Sequence, residues 1–562
     1  MPLIEADIAV ELDRNAIGNE SYFWKLPIPY ILGDGLGLNA KAIILQTFEH
    51  FRLKTCIDFK PYDGDGAFLH LQKLDGCWSF IGRIGGGQNL SIGERCDSAA
   101  VVQHELLHAL GFFHEHSRSD RDDYITIHWE AMEPDAKHNF IKKNVEKDTF
   151  NTPYDYFSIM HYPPWFFSND KNKPTISTNI LHFQKLIGQT YDMSDNDIAK
   201  LNHLYNCTSS LALLDQCTFE TLNICGMIQQ TVNDQQWIHA FGGNIQGDHT
   251  LTRTNQNFGH YMLLNTSFGR EGHVAVLESR YFHPKRKEQC LEFSFKMNGG
   301  PQDRLAIWMI MYEEDDAEQK AENVGVITGK EVKLEIWHLA HFQLQSNTKR
   351  FRYAFQGMLG ETGAVKDGGI AFDNIILTET SCPMAVWHVH NFSSLLFSLL
   401  PNDKVISPCF IGHDGYGFGL VLKPHGGKVK GYTSIFFQLC STKDDGKLIW
   451  PAINQQVLIT VLDQTPDVLL RRSFSRSFVT KIDELHSGKP NTSAWHQPSM
   501  AGSYHQHCDC FRGPGYGWTK FISHVYLRRY KLIRNGDIFI SIDFQDVSNL
   551  HQTERPIGSS ST

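Results

Sequence analysis

Eleven residues, His104 to His114, constrain this chain more than any other stretch, because they read HELLHALGFFH. His104 and His108 are four apart, so a helix projects both imidazoles from one face, one turn apart. Two neutral imidazoles suit Zn2+, and Glu105, beside the first of them, is placed to reach a water on the metal. Gly111 supplies the positive φ that ends a helix at little cost and lets the chain turn back. The turn brings His114 to the same metal as a third ligand. A solvated helix face with incidental histidines would leave a glycine inside an apolar run unexplained, at a cost of ~1 kcal/mol relative to Ala.

These residues, followed by Glu115 and by SIMHY at 158–162, resemble the astacin family of metzincin peptidases. The resemblance implies one Zn2+ held by His104, His108 and His114, with Glu105 as general base in the hydrolysis of peptide bonds. It implies that Met160 supports the ligands from a tight turn beneath them. Tyr162 becomes an additional, displaceable ligand that hydrogen-bonds the oxyanion; by residue type alone, Met160 is a core residue and Tyr162 a surface phenol. Water on such a zinc has a pKa near ~7, so this chemistry runs at neutral pH without a covalent intermediate. No G-x-S-x-G or other nucleophile signature is present. Upstream, LIEADIAVELDR resembles the end of an astacin-type propeptide. Asp7 stands where the family's propeptide aspartate replaces water on zinc, with Ile4 and Ala6 in place of the pattern's phenylalanine and glycine. Arg14-Asn15 then reads as a cleavage site for a trypsin-like activating protease, after which the freed end would engage Glu115.

At 562 residues the chain is too long for one core. The expected fold is multidomain: an α+β metzincin (astacin) catalytic domain followed by two all-β domains. Residues 1–14 read as a propeptide remnant and 15–207 as the peptidase, with helical spacing over NAKAIILQTFEHFRL and SAAVVQHELLHALGFFHEH and strands at IPYIL, CIDFKPY and FLHLQKL. The segment TSSLALLDQ reads as a linker. From there short alternating strands dominate: HVAVLESR, CLEFSFKM, RLAIWMIMY, EVKLEIWHL, RFRYAFQG and GIAFDNIIL, which predict a β-sandwich. Residues 213–382 resemble a MAM domain. Residues 384–545, with SIFFQLCS, QQVLITVLDQ and DIFISIDF, resemble a MATH (TRAF-like) β-sandwich. Leu395 to Leu400 reads as a buried strand, and 546–562 as a polar linker or frayed tail. This succession of domains resembles the meprins.

The net charge of −10 and the lack of any basic run exclude a general nucleic-acid binder. No stretch reaches the ~18 consecutive apolar residues of a membrane span. The N-terminal residues lack the charged start and apolar core of a secretory signal. Compartment is argued instead from twelve cysteines and six N-x-[ST] sites, at Asn19, Asn89, Asn206, Asn265, Asn391 and Asn491, which favour a secreted or cell-surface protein. The resemblance implies the pairs Cys56–Cys207, Cys77–Cys96, Cys217–Cys225 and Cys290–Cys382; the pairing of Cys409, Cys440, Cys508 and Cys510 stays open. The expected partners are protein and peptide substrates and further copies of the chain. Association through the MAM and MATH domains is expected to be non-covalent, because the family's linking cysteine is missing after DHTL, where Thr252, Thr254 and Asn255 stand. The family's cleft arginine after IGQ is here Thr190, so a preference for acidic side chains is not implied. The alternative is a silent secreted scaffold, which would usually have lost a ligand or the glutamate; every one is intact.

Overall fold

A computed structural model of the chain describes residues 3–9, 23–143, 152–230, 235–242, 259–266, 270–312, 319–330, 336–360, 368–426, 429–482 and 492–551. The N-terminal sheet contains β1 (Leu3–Glu5), β2 (Ile8–Ala9), β3 (Ile28–Leu32), β4 (Phe59–Pro61), β5 (Phe68–Gln72), β6 (Cys77–Phe80) and β7 (Gly87–Ile92). Their spatial order is β1-β2-β6-β7-β5-β3-β4. Strand β5 alternates, with Leu69 and Leu71 buried between half-exposed Phe68, His70 and Gln72. Those leucines meet Ile43, Ile44, Phe48 and Phe51, the apolar face of α1 (Leu38–Lys54), in a shared core. Helix α2 (Ala99–Ala109) packs into the same core through Val102, Leu106 and Leu107. It starts at Ser98, whose side chain accepts from the amide of Val101, and it stops where Gly111 takes φ +111°. The helical stretch read over 98–116 is thus broken at Gly111, as expected of that glycine, and Glu115–Ser117 beyond it is a single 3-10 turn.

The next unit is a sandwich of a six-stranded and a five-stranded sheet. Its central strand, Gly369–Thr378, is buried along its whole length. Phe293, Phe355 and Phe372 fill the space between the sheets. Most of EVKLEIWHL lies outside the described residues, and the strand that follows is His338–Gln345. Gln319–Thr328 pairs with Arg304–Tyr312 although its polar sequence shows no alternation. The third unit is again two sheets, one of four strands and one of seven. They close over Trp495, Phe418, Phe437 and Phe521.

Three expectations are corrected. Leu395 to Leu400 is no buried strand: Phe392–Ser398 is a helix that buries Phe392 and Leu396, four residues apart, and leaves Phe397 83% exposed. The segment TSSLALLDQ is docked rather than loose. Ser210 Oγ donates to Leu53 O, and Leu213–Cys217 pairs with the central strand of the sandwich. The tail expected from 546 is structured as far as His551. Val547 is buried, and Leu550 O accepts from Lys41 Nζ at 2.8 Å, joining the end of the third unit to α1. All twelve cysteines are paired: Cys56–Cys207, Cys77–Cys96, Cys217–Cys225, Cys290–Cys382, Cys409–Cys440 and Cys508–Cys510.

Candidate metal centre

Helix α2 carries His104, Glu105 and His108 on its buried side, and the reversal at Gly111 returns His114 to them. The ring centroids lie 4.7 Å (His104–His108), 5.4 Å (His104–His114) and 4.7 Å (His108–His114) apart. Two of the rings are held by the nitrogen that faces away from their common centre. His104 Nδ1 donates to Ile159 O at 2.9 Å, and His108 Nδ1 donates to Phe112 O at 2.7 Å. With the proton on Nδ1, each Nε2 presents a lone pair to the centre. His108 Nε2 is buried there without a hydrogen-bond partner. Burial, and then the neighbouring His104 and His114, keep the His108 imidazole neutral by lowering its pKa well below the usual histidine value.

Asp7 sits in the centre. Strand β2 adds in parallel to β6 at the edge of the sheet, and the β1–β2 turn delivers the carboxylate to the histidines. Asp7 oxygens lie 3.3 Å from His104 Nε2, 3.2 Å from His114 Nε2 and 4.0 Å from His108 Nε2. These four side chains form one of the clusters among the described residues able to grip a metal ion. Three imidazole nitrogens converging with an orphaned, buried Nε2 fit zinc by donor type and number. Burial pushes the Asp7 carboxyl up, but His114 and His104 outweigh it and hold the group well below its usual range. Glu105 behaves oppositely. Burial first, and the Asp7 charge second, raise its pKa well above the ordinary value, and its Oε2 has no partner.

Next to the three histidines, Ser158, Ile159 and Met160 form a buried turn. Asp197, in α3 (Asp195–Leu204), accepts from Ser158 Oγ at 2.6 Å and from the amide of Ile159 at 2.9 Å. The same carboxylate closes a capping box with Ser194. The carbonyl of Ile159 orients His104, and that of Met160 accepts from the amide of Glu115. Glu115 is fully enclosed: Lys200 Nζ donates to Oε2 at 2.5 Å, and Arg118 Nη1 and the amide of Asp155 donate to Oε1. The Tyr162 ring lies 4.4 Å from His114 and stacks on His116 at 4.0 Å. Asp197, Lys200 and Arg118 were not singled out from the sequence. The S-x-x-D spacing of Ser194 and Asp197 is a helix-start signal that was there to be read.

Arg14, Asn15, Asn19 and Asn491 lie outside the described residues, as does the stretch 243–258 that lacks the linking cysteine. Asn206 and Asn391 are exposed, whereas Asn89 and Asn265 are half-buried in strands. Thr190 is exposed.

Three family models match in succession: the Astacin peptidase family at 16–206, MAM domain at 217–383 and MATH domain at 384–544. The chain is 45% identical over 563 residues to Meprin A subunit alpha of Rattus norvegicus, covering 100% of this chain and 75% of the relative. The chain belongs to the meprins, within the astacin family. It is therefore a zinc metalloendopeptidase. Similarity to the beta type of meprin chain is lower: Meprin A subunit beta of Homo sapiens is 40% identical over 563 residues, covering 99% of this chain and 78% of the relative. Among solved structures, High choriolytic enzyme 1 from Oryzias latipes, a hatching enzyme zinc-protease, is 40% identical with a TM-score of 0.33. That match covers 34% of this chain and 100% of the fish enzyme. No helix among the described residues of this meprin-family chain is long and apolar enough to cross a membrane.

Proposed function

We propose that the chain is a secreted or cell-surface endopeptidase made as a zymogen, with Asp7 as its latency ligand. The observation that carries this reading is the Asp7 carboxylate seated among His104, His108 and His114. Those histidines would hold one zinc through Nε2. When bound, zinc supplies Lewis-acid polarisation of the scissile carbonyl and a water of pKa near ~7. Glu105 takes the water's proton and passes it to the leaving amine. Its raised proton affinity fits a group that must hold that proton between the two steps, and loss of the Asp7 charge on activation leaves burial as its cause. Tyr162, its ring packed against both His114 and His116, is the side chain to stabilise the oxyanion. Met160 supports the ligands from below.

Activation is read as cleavage at Arg14-Asn15 by a trypsin-like protease, which frees β1 and β2 from the sheet edge and lets the Asn15 amine share Glu115 with Lys200. We read 1–14 as propeptide, 15–207 as peptidase, and 213–382 and 384–545 as modules for protein contact and non-covalent self-association, with glycans at the asparagines of its N-x-[ST] sites. Trypsin-treated protein should begin at Asn15 and hydrolyse a denatured protein substrate, and a chelator should abolish that activity. The intact chain should be silent, and intact Asp7→Ala should be active. Equal activity of intact and cleaved wild-type chains would remove Asp7 from the mechanism.

A further inference from the structure

We propose that His388, His390 and Asp537, on the third unit, form a second transition-metal site that takes Zn2+. His388 lies in the strand Ala385–Val389 and His390 is the first residue beyond it, two positions on. Asp537 stands opposite, just before the partner strand Ile538–Asp546, with which Val389 pairs at Ile538. One oxygen of Asp537, Oδ2, meets both rings: His388 Nε2 at 2.7 Å and His390 Nδ1 at 3.1 Å. One ligand atom from each of the three side chains lies within 4.8 Å of the others, the same spacing that groups Asp7 with the catalytic histidines.

Two imidazoles and one carboxylate make a set that binds zinc and leaves positions open. A tetrahedral ion ~2.0–2.1 Å from each ligand requires ligand atoms about 3.3 Å apart. The two histidine–aspartate separations are a few tenths of an ångström shorter, so an ion enters by a small parting of the side chains. The protons now shared with Asp537 move to the other ring nitrogens, leaving the facing nitrogens as lone-pair donors.

The supports around the set are those of a rigid site. Asp537 Oδ1 accepts from the amide of Asn391 at 2.7 Å, which turns Oδ2 towards the histidines. Asp537 closes a tight turn with Arg534, in which Asn535 and Gly536 take φ +52° and +88°. The His388 ring stacks on Phe539 at 4.4 Å. The site also has an entry path, since the His390 side chain is 44% exposed while those of His388 and Asp537 are 15% and 13% exposed. His338 of the preceding sandwich stands edge-on to His388, with ring centroids 5.7 Å apart, which puts the site at the seam between the two β units.

The test is zinc stoichiometry of the full chain, with all three histidines of the peptidase centre intact. Protein is dialysed against micromolar ZnCl2, desalted and analysed by atomic emission. The expected result is two zinc ions per chain, falling to one in His390→Ala and in Asp537→Asn. Asparagine keeps an acceptor for the Asn391 amide, so Asp537→Asn tests metal binding without dismantling the turn. Cobalt(II) loading gives a second readout: both variants lose the part of the parent's visible d–d absorption that belongs to this site and keep the part that belongs to the peptidase centre. Peptidase activity after trypsin should be unchanged in the variants, which separates this site from the catalytic one. A single zinc in the parent chain, or two in both variants, overturns the proposal. So does loss of peptidase activity together with the lost ion.

Discussion

Asp7 and Glu105 share one buried pocket with opposite proton affinities, a division that matches the work proposed for them: the carboxyl held low by the histidines as latency ligand, the one raised by burial as proton carrier. Glu105→Ala in the trypsin-cleaved protein should therefore keep its zinc and lose kcat by several decades, roughly the cost of removing a general base and its coupled steps. Metal analysis beside the rate measurement checks both halves, and retained turnover would show that another group is the base. A second buried carboxyl, Asp155, is raised to about 6 by burial and then by Asp197. In the unfolded chain an aspartate titrates near ~3.9, so between about pH 4 and 6 the folded state binds the extra proton. Stability from this group thus falls as pH rises through that window and stays lower above it. Asp155→Asn, which keeps an acceptor for the amide of Phe157, should remove the slope and gain up to about 2–3 kcal/mol at pH 7 and nothing at pH 4. Unfolding midpoints at the two pH values decide this. The histidine motif could be read from residue types because covalent spacing sets it. Asp155 could not, since its surroundings come from residues about forty positions away.

At the scale of elements, the centre is an assembly of α2, the 158–160 turn and α3. Helix α3 bolts the turn, and the turn orients His104 through the carbonyl of Ile159. Asp197→Ala strands the Ile159 amide and the Ser158 hydroxyl inside the protein, at about 1–3 kcal/mol for each unsatisfied group. It should also weaken zinc binding by roughly 10–100-fold, the usual effect of losing an outer-shell partner. Chelator competition measures that loss; an unchanged zinc affinity would mean that the turn holds its shape without α3. Element type was legible where the apolar period was long, as in α1, and failed where it was short. LLFSLL suits a strand or a helix, and the burial of Phe392 and Leu396, one of them outside that run, decided for the helix.

The whole molecule is joined by contacts between its three units. Glu292 of the first sandwich accepts from Arg471 of the second at 2.7 Å and from His341 of its own at 2.8 Å. Arg472 pairs with Asp195 at the head of α3, and Tyr191 stacks on Tyr526 at 3.7 Å. Because every cysteine is paired within its own unit, no thiol is left to link chains. Any self-association should then be non-covalent and dissociate on dilution. A non-reducing denaturing gel should show only the monomer band, with light scattering of the native protein reporting the assembly. A band at twice the chain mass that collapses on reduction would refute this.

The sequence by itself determined the spacing that gathers the three histidines, the break at Gly111, the order of the three units and the even sharing of cysteines among them. Each of these rests on spacing along the chain or on residue type, which covalent geometry turns directly into local structure. Only the tertiary structure decided that Asp197 and Lys200 stand behind the centre, that Cys409 pairs with Cys440, and that the tail packs on α1. It also brought His388 and His390, at one strand end, to an aspartate almost 150 residues later. Those facts depend on which buried groups find partners once the units close, and spacing along the chain does not report distance through it.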